Sequence, residues 1–190
     1  ALRLNTTGTQ NTAVGAYSAD VNTTGSYITA IGTNALGTNT TGDYNTALGR
    51  QALYLNTTGS SNVAVGHDAL GDNTTASNNT AVGHESLSKN TTGTQNTAVG
   101  TYALDANTTG DYNTAVGREA LGDQTTSNYN TAVGWNALKA NTGHNNTAVG
   151  TRALDVYTGN ENTAMGVDAL GACTTGSSNV AVGADCTEFL

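Results

Sequence analysis

The chain has 190 residues, with six Lys and Arg against fourteen Asp and Glu, and a formal net charge of −8. Thr (36), Asn (24) and Gly (24) together make 84 residues, and proline is absent. The acidic balance argues against a nucleic-acid partner, whose phosphates need Lys and Arg. No run reaches the roughly 18 apolar residues of a membrane span, no N-terminal segment reads as a secretory signal, and the fixed period of the apolar residues excludes disorder.

Taken in chain order, one tetrad recurs: Thr12-Ala13-Val14-Gly15, Thr29-Ala30-Ile31-Gly32, Thr46-Ala47-Leu48-Gly49 and Val63-Ala64-Val65-Gly66. It returns at Thr80, Thr97, Thr114, Thr131, Thr147, Thr163 and Val180. The spacing is 17 residues in eight of ten intervals and 16 in the other two, where one Thr is missing before Gly143 and before Gly159. The unit reads N-T-A-V-G-x-x-A-L-x-x-N-T-T-G-x-x, numbered from the Asn as position 1. Units start near residues 11, 28, 45, 62, 79, 96, 113, 130, 146, 162 and 179 of a single repeat domain over 1–190. Position 3 is Ala and position 5 is Gly in all eleven units, and position 9 is Leu in nine. Positions 6, 7, 10, 11, 16 and 17 vary.

A 17-residue unit is too short for a helical-pair repeat, and Gly, Asn and Thr are poor helix formers. The apolar segments at positions 2 to 4 and 8 to 9 are short and bounded by Gly or Asn, which predicts two strands and two corners per coil. The fold class is all-β, a parallel β-solenoid of about eleven coils. At the strand spacing of about 4.8 Å it would make a rod of about 53 Å. Gly at position 5 is expected at a corner with positive φ or close backbone approach. Ala at positions 3 and 8 marks sites with no room. The aliphatic residues at positions 4 and 9 are expected to fill the core, namely Val14, Val65, Val82, Val99 and Val116 with Leu70, Leu104, Leu121 and Leu138. Asn at positions 1 and 12 and Thr at position 13 are expected to form ladders.

The segment Asn79-Thr80-Ala81-Val82-Gly83-His84-Glu85-Ser86-Leu87 resembles the head repeats of YadA-like trimeric autotransporter adhesins, whose motif is similar to N-S-V-A-I-G followed by a variable pair and a small residue. Similar repeats occur in phage tail fibres and other bacterial surface proteins. The resemblance runs along essentially the whole chain. It implies a left-handed β-roll, three chains side by side, and display outside the cell as an adhesive head. The 17-residue unit is longer than most family repeats, no neck, stalk or anchor is expected within these 190 residues, and three chains side by side are what the resemblance implies.

Candidate chemistry is sparse. His67 and His84 share position 6 and are followed by Asp68 and Glu85, a set that could suit a metal. Arg50, Thr101 and Arg118 hold the same position in nearby coils, so a solvated face without metal is expected. His144 falls in a corner. Asp20, Asp105 and Asp155 share position 10, Asp43 and Asp111 share position 16, and none lies in a calcium-loop pattern. No nucleophile elbow, H-E-x-x-H or phosphate loop occurs, so neither catalysis nor a cofactor is expected.

Nine N-x-[ST] sequons are candidate glycosylation sites: Asn5, Asn22, Asn39, Asn56, Asn73, Asn90 and Asn107 in Asn-Thr-Thr, with Asn78 and Asn145. Cys173 and Cys186 could pair with each other or with another chain, or stay free. Tyr27, Tyr44, Tyr112 and Tyr129 share position 17 and should stack along the rod. Ice binding wants two Thr ranks on one exposed strand face, whereas the Thr pair here lies in a corner.

The expected function is that of a non-catalytic structural segment of an extracellular fibre or surface adhesin. The alternatives are a phage tail-fibre shaft and a carbohydrate- or ice-binding solenoid. The expected partner is the chain itself, in a head-to-tail filament or a homotrimer, because the two ends are in near-matching phase; a host-surface or carbohydrate ligand would come second.

Overall fold

A computed structural model describes residues 1–171 and 175–186. Each coil contributes one three-residue strand: β1 (Thr12–Val14), β2 (Thr29–Ile31), β3 (Thr46–Leu48), β4 (Val63–Val65), β5 (Thr80–Val82), β6 (Thr97–Val99), β7 (Thr114–Val116), β8 (Thr131–Val133), β9 (Thr147–Val149), β10 (Thr163–Met165) and β11 (Val180–Val182). They form one eleven-stranded parallel sheet in sequential order. Equivalent residues pair in register, as Thr97↔Thr114, Ala98↔Ala115 and Val99↔Val116 do. The fold is a parallel β-solenoid.

The expected second strand is absent among the described residues. The segment at positions 8 and 9 still bonds from coil to coil, with Leu36 N–H donating to Ala52 O at 2.9 Å and Leu121 N–H to Ala137 O at 3.0 Å. Its backbone, however, is not extended. Among the described residues position 9 has positive φ throughout, from 45° at Ala19 to 55° at Leu104, and position 7 does too, with 58° at Glu119. Position 17 completes the set, with 58° at Tyr27 and at Gln95. The corners therefore contain left-handed residues that are not glycine, beside the glycine at position 5.

This geometry selects the core. Left-handed backbone is an outlier for β-branched side chains, and position 9 is Leu or Ala wherever it is described. Leu36, Leu53, Leu70, Leu87, Leu104, Leu121, Leu138 and Leu154 are fully buried, together with the alanines at positions 3 and 8 such as Ala98 and Ala103. The core is Ala against Ala and Leu, which is why the coil can be so thin.

The position-4 residues require a correction. Val14 is 57% exposed, Val99 36% and Val116 37%, and Val65 and Val82 are half-buried. Alternation along a strand places positions 2 and 4 on one face and position 3 on the other. With Ala inside, Thr and Val must point out. Their β-branching suits the strand backbone, not the interior.

Gly at position 5 takes φ between 124° at Gly15 and 140° at Gly49. A Cβ on Gly100 would lie 2.5 Å from Gly117 O, so both conformation and space demand glycine here.

Buried asparagines close the remaining polar groups. At position 12, Asn56 Nδ2 donates to Asn39 Oδ1 at 2.8 Å and to Gly59 O at 3.0 Å. The same pair of bonds recurs at Asn22, Asn39, Asn73, Asn90 and Asn107. At position 1 the side chain accepts from the backbone of the next coil, as in Asn79 N–H to Asn62 Oδ1 at 3.0 Å. Thr hydroxyls at position 13 donate to the equivalent Thr carbonyl one coil on, as Thr57 Oγ1 does to Thr74 O at 3.0 Å.

Candidate functional site

The most regular exposed feature is the outer face of the sheet. Thr or Val at position 2 and an aliphatic residue at position 4 repeat on all eleven strands. The aliphatic row includes Val14, Leu48, Val99, Val116, Val133, Met165 and Val182, all exposed. Strand pairing spaces the rows at about 4.8 Å along the rod and the two ranks lie about 7 Å apart across it. The face is aliphatic along one edge and hydroxylated along the other, except at Val63 and Val180.

The sequon asparagines sit elsewhere. Asn22, Asn39, Asn56, Asn73, Asn90 and Asn107 are fully buried. Both hydrogens of each Nδ2 are committed to the ladder, so a sugar on that nitrogen would break one bond and has no space. The expectation of N-glycans at these six positions is corrected for the folded chain. Asn5 is half-buried, whereas Asn78 and Asn145 at position 17 are exposed. Cys186 is half-buried, and Cys173 lies outside the described residues.

Position 16 varies in sequence, yet its side chains share one role. The side chain accepts the backbone N–H of position 16 one coil earlier. Asp43 Oδ1 accepts from Ser26 N at 2.7 Å and Asp111 Oδ1 from Thr94 N at 2.6 Å. His144 Nδ1 does the same for Asn128 N at 3.0 Å. The common signal is an acceptor, since Ser, Thr, Asp, Asn and His are the residues found there.

Of the position-10 carboxylates, Asp20 pairs with Arg3 at 3.0 Å. Burial pushes the Asp105 carboxyl up to about 6, assisted by the charges of Asp123, Glu85 and Glu119. Burial raises Asp155 as well, against the opposing charges of Lys139 and Arg152. Glu119 lies 2.8 Å from both Lys139 and Arg118, and the Lys139 hydrogen bond holds its carboxyl below the usual range.

The tyrosines stack as two dyads, Tyr27–Tyr44 with ring centres 4.7 Å apart and Tyr112–Tyr129 at 4.9 Å, all four exposed. His67 and His84 also stack, at 5.2 Å. Glu85 Oε1 stands 3.5 Å from His84 Nε2, and Arg50 Nη1 stands 3.1 Å from His67 Nε2. The structure thus brings together His67, His84 and Glu85 and leaves His144 apart. Among the described residues no helix is long and apolar enough to cross a membrane. No family model, curated protein or solved structure matches the chain.

Proposed function

We propose that the chain is a non-catalytic structural segment of an extracellular fibre or surface adhesin, and that its rods associate side by side through the threonine–aliphatic face. The observation that carries this reading is the outward aliphatic row itself, one residue per strand on eleven strands. The face measures roughly 53 Å by 7 Å, shared between the threonine and aliphatic rows, which puts it at about the size of the largest patch on a typical monomer, a size that is often functional. Because every strand presents the same pair, two such faces can meet in register over the whole length. A cyclic arrangement of three chains, as the adhesin resemblance implies, would bury the row on each.

The test is sedimentation velocity of the chain at micromolar concentration, with surface labelling of the cells that produce it. A species larger than the 19.1 kDa chain is expected. The exposed replacements Val99→Lys and Val116→Lys should return it to a monomer with unchanged circular dichroism. A wild-type monomer throughout would overturn the side-by-side arrangement, and labelling confined to the cell interior would overturn the fibre reading. A carbohydrate-binding reading is favoured by one separate observation, the exposed tyrosine dyads. It requires that Tyr44→Ala and Tyr129→Ala abolish retention on a glycan array.

A further inference from the structure

His67 and His84 occupy the same position on adjacent coils, and their rings lie 5.2 Å apart and within 13° of parallel. Glu85 follows His84 in the chain, on a residue whose φ of 52° belongs to the corner. That turn brings its carboxylate back to 3.5 Å from His84 Nε2. One ligand atom from each of His67, His84 and Glu85 lies within 4.8 Å of the other two.

A second observation distinguishes this cluster from an ordinary solvated face. His67 Nδ1 is shielded from water and has no hydrogen-bond partner. The other ring nitrogen faces Arg50 Nη1 at 3.1 Å. A guanidinium has only donors, so Nε2 accepts there, and the neutral ring then carries its proton on Nδ1, where nothing receives it. The imidazole is held by a side chain that adds positive charge and leaves half of its polar capacity unused. Arg50 and His84 are both exposed, so both can turn aside at small cost.

We propose that His67, His84 and Glu85 bind a divalent transition-metal ion of the zinc class, with water completing the coordination. Two imidazoles and a carboxylate are a donor set for such ions and not for calcium, which wants six or more oxygens. Metal–nitrogen bonds of about 2.1 Å in a tetrahedron put the two nitrogens about 3.4 Å apart. The exposed His84 closes that gap by rotating away from Tyr102, against which it now rests edge-on at 5.4 Å. Arg50 gives up its bond to His67 as the ion enters. The ion would clip the coil starting at residue 62 to the coil starting at 79. The site is independent of the assembly proposed above, because positions 6 and 7 lie beyond the strand residues.

The experiment is calorimetric titration of the full chain with Zn²⁺, with Ca²⁺ as the control ion. One Zn²⁺ per chain is expected, with no response to Ca²⁺, and with a rise in melting temperature because the ion binds only the folded coils. His84→Ala, at an exposed position, should weaken binding by about tenfold or more, equivalent to about 1.4 kcal/mol, with circular dichroism unchanged. His144→Ala should leave it unaltered. Arg50→Gln should strengthen binding several-fold, since it removes a competing donor and a positive charge from the site. That gain separates a designed pocket from loose capture by surface histidines. Failure of Zn²⁺ to bind at micromolar concentration, or equal affinity in wild type and His84→Ala, would overturn the proposal.

Discussion

Glycine at position 5 offers the sharpest test of how the coils hold together. Gly100 has φ of 139°, and its added Cβ would meet Gly117 O at 2.5 Å, Gly117 C at 2.7 Å and Arg118 N at 3.2 Å. All three are backbone atoms of the next coil and cannot swing away. Gly100→Ala therefore carries two penalties. Backbone held in a region that L residues rarely adopt costs about 1–3 kcal/mol, and forcing atoms into filled space costs a further 1–3 kcal/mol or so. The expected loss is about 2–6 kcal/mol, placed at the junction of the coils starting at 96 and 113. Gly122 is the internal control. Its φ is not in the positive region, and the added Cβ would meet Glu119 O at 3.2 Å and Asp105 Oδ1 at 3.5 Å. Gly122→Ala should stay within about 1 kcal/mol of wild type, the stiffer unfolded chain offsetting that close contact. Thermal unfolding followed by circular dichroism compares the two. Hydrogen exchange should show the Gly100→Ala loss concentrated in amides near that junction, because each coil touches only its neighbours. Equal melting temperatures for the two variants would refute the argument that coil spacing is set by this glycine row.

Three further outcomes are expected. Leu121→Ala, at a fully buried site, should cost about 2–5 kcal/mol, whereas the exposed Val116→Ala should cost under about 1 kcal/mol in denaturant melts; similar losses would contradict the outward placement of position 4. Asn73→Ala removes donors to Asn56 Oδ1 and Ala76 O, both at buried ladder sites, and should cost about 2–4 kcal/mol, more than a single exposed hydrogen bond. Asp105 has a folded pKa of about 6 above its ordinary 3.8, so the folded chain holds the proton more tightly; its share of stability is full below that ordinary value and is lost as pH rises through the window to about 6. With solvent screening discounted, the loss is about 1–2 kcal/mol. Asp105→Asn should melt higher than wild type at neutral pH and equally at strongly acidic pH; a constant difference across pH would refute the assignment.

The period, the parallel stacking, the glycine corner and the asparagine ladders are all legible in the repeat, because each reflects one residue type recurring at one phase. The inward and outward assignment of Val and Leu is not. Both read as core residues on hydropathy, yet the chain separates them by shape. Val occupies position 4, where the backbone is a strand. Leu occupies most position-9 sites, where a φ near 53° makes a β-branched side chain an outlier. Positions 7 and 17 carry the same hidden rule. They vary from Tyr to Asn, Gln, Asp, Glu, Ser and Arg, yet no Val, Ile or Thr stands at either. Position 6 admits Thr and Val. A comparison of which residues are missing, not which are present, would have located the left-handed corners. The histidine cluster was half legible: the shared position of His67 and His84 follows from the period, but the turn that returns Glu85 to them depends on a backbone angle.

The two 16-residue units show what the extra threonine does. In a full coil the asparagine at position 12 bonds to a carbonyl three residues on, as Asn107 does to Gly110 O at 3.1 Å. Without the second Thr, Asn141 reaches Gly143 O only two residues on, at 2.8 Å. Its amide is drawn off the axis of the ladder. The preceding rung, Gln124, still donates to Asn107 Oδ1 at 2.9 Å, but its own Oε1 is buried without a partner. The rung after next is Tyr157, fully buried, whose hydroxyl lies 3.4 Å from Asn179 Nδ2. The inner polar line therefore ends at Gln124, while the position-1 line continues through Asn130, Asn146 and Asn162 at 2.9 Å. The strands keep their register across the same stretch, with Thr131↔Thr147 and Val133↔Val149 paired. One deleted residue thus breaks a side-chain ladder and leaves the sheet intact. The sheet and its adjoining asparagine line fix the stacking of the coils, and the threonine corner is the part of the unit free to change length.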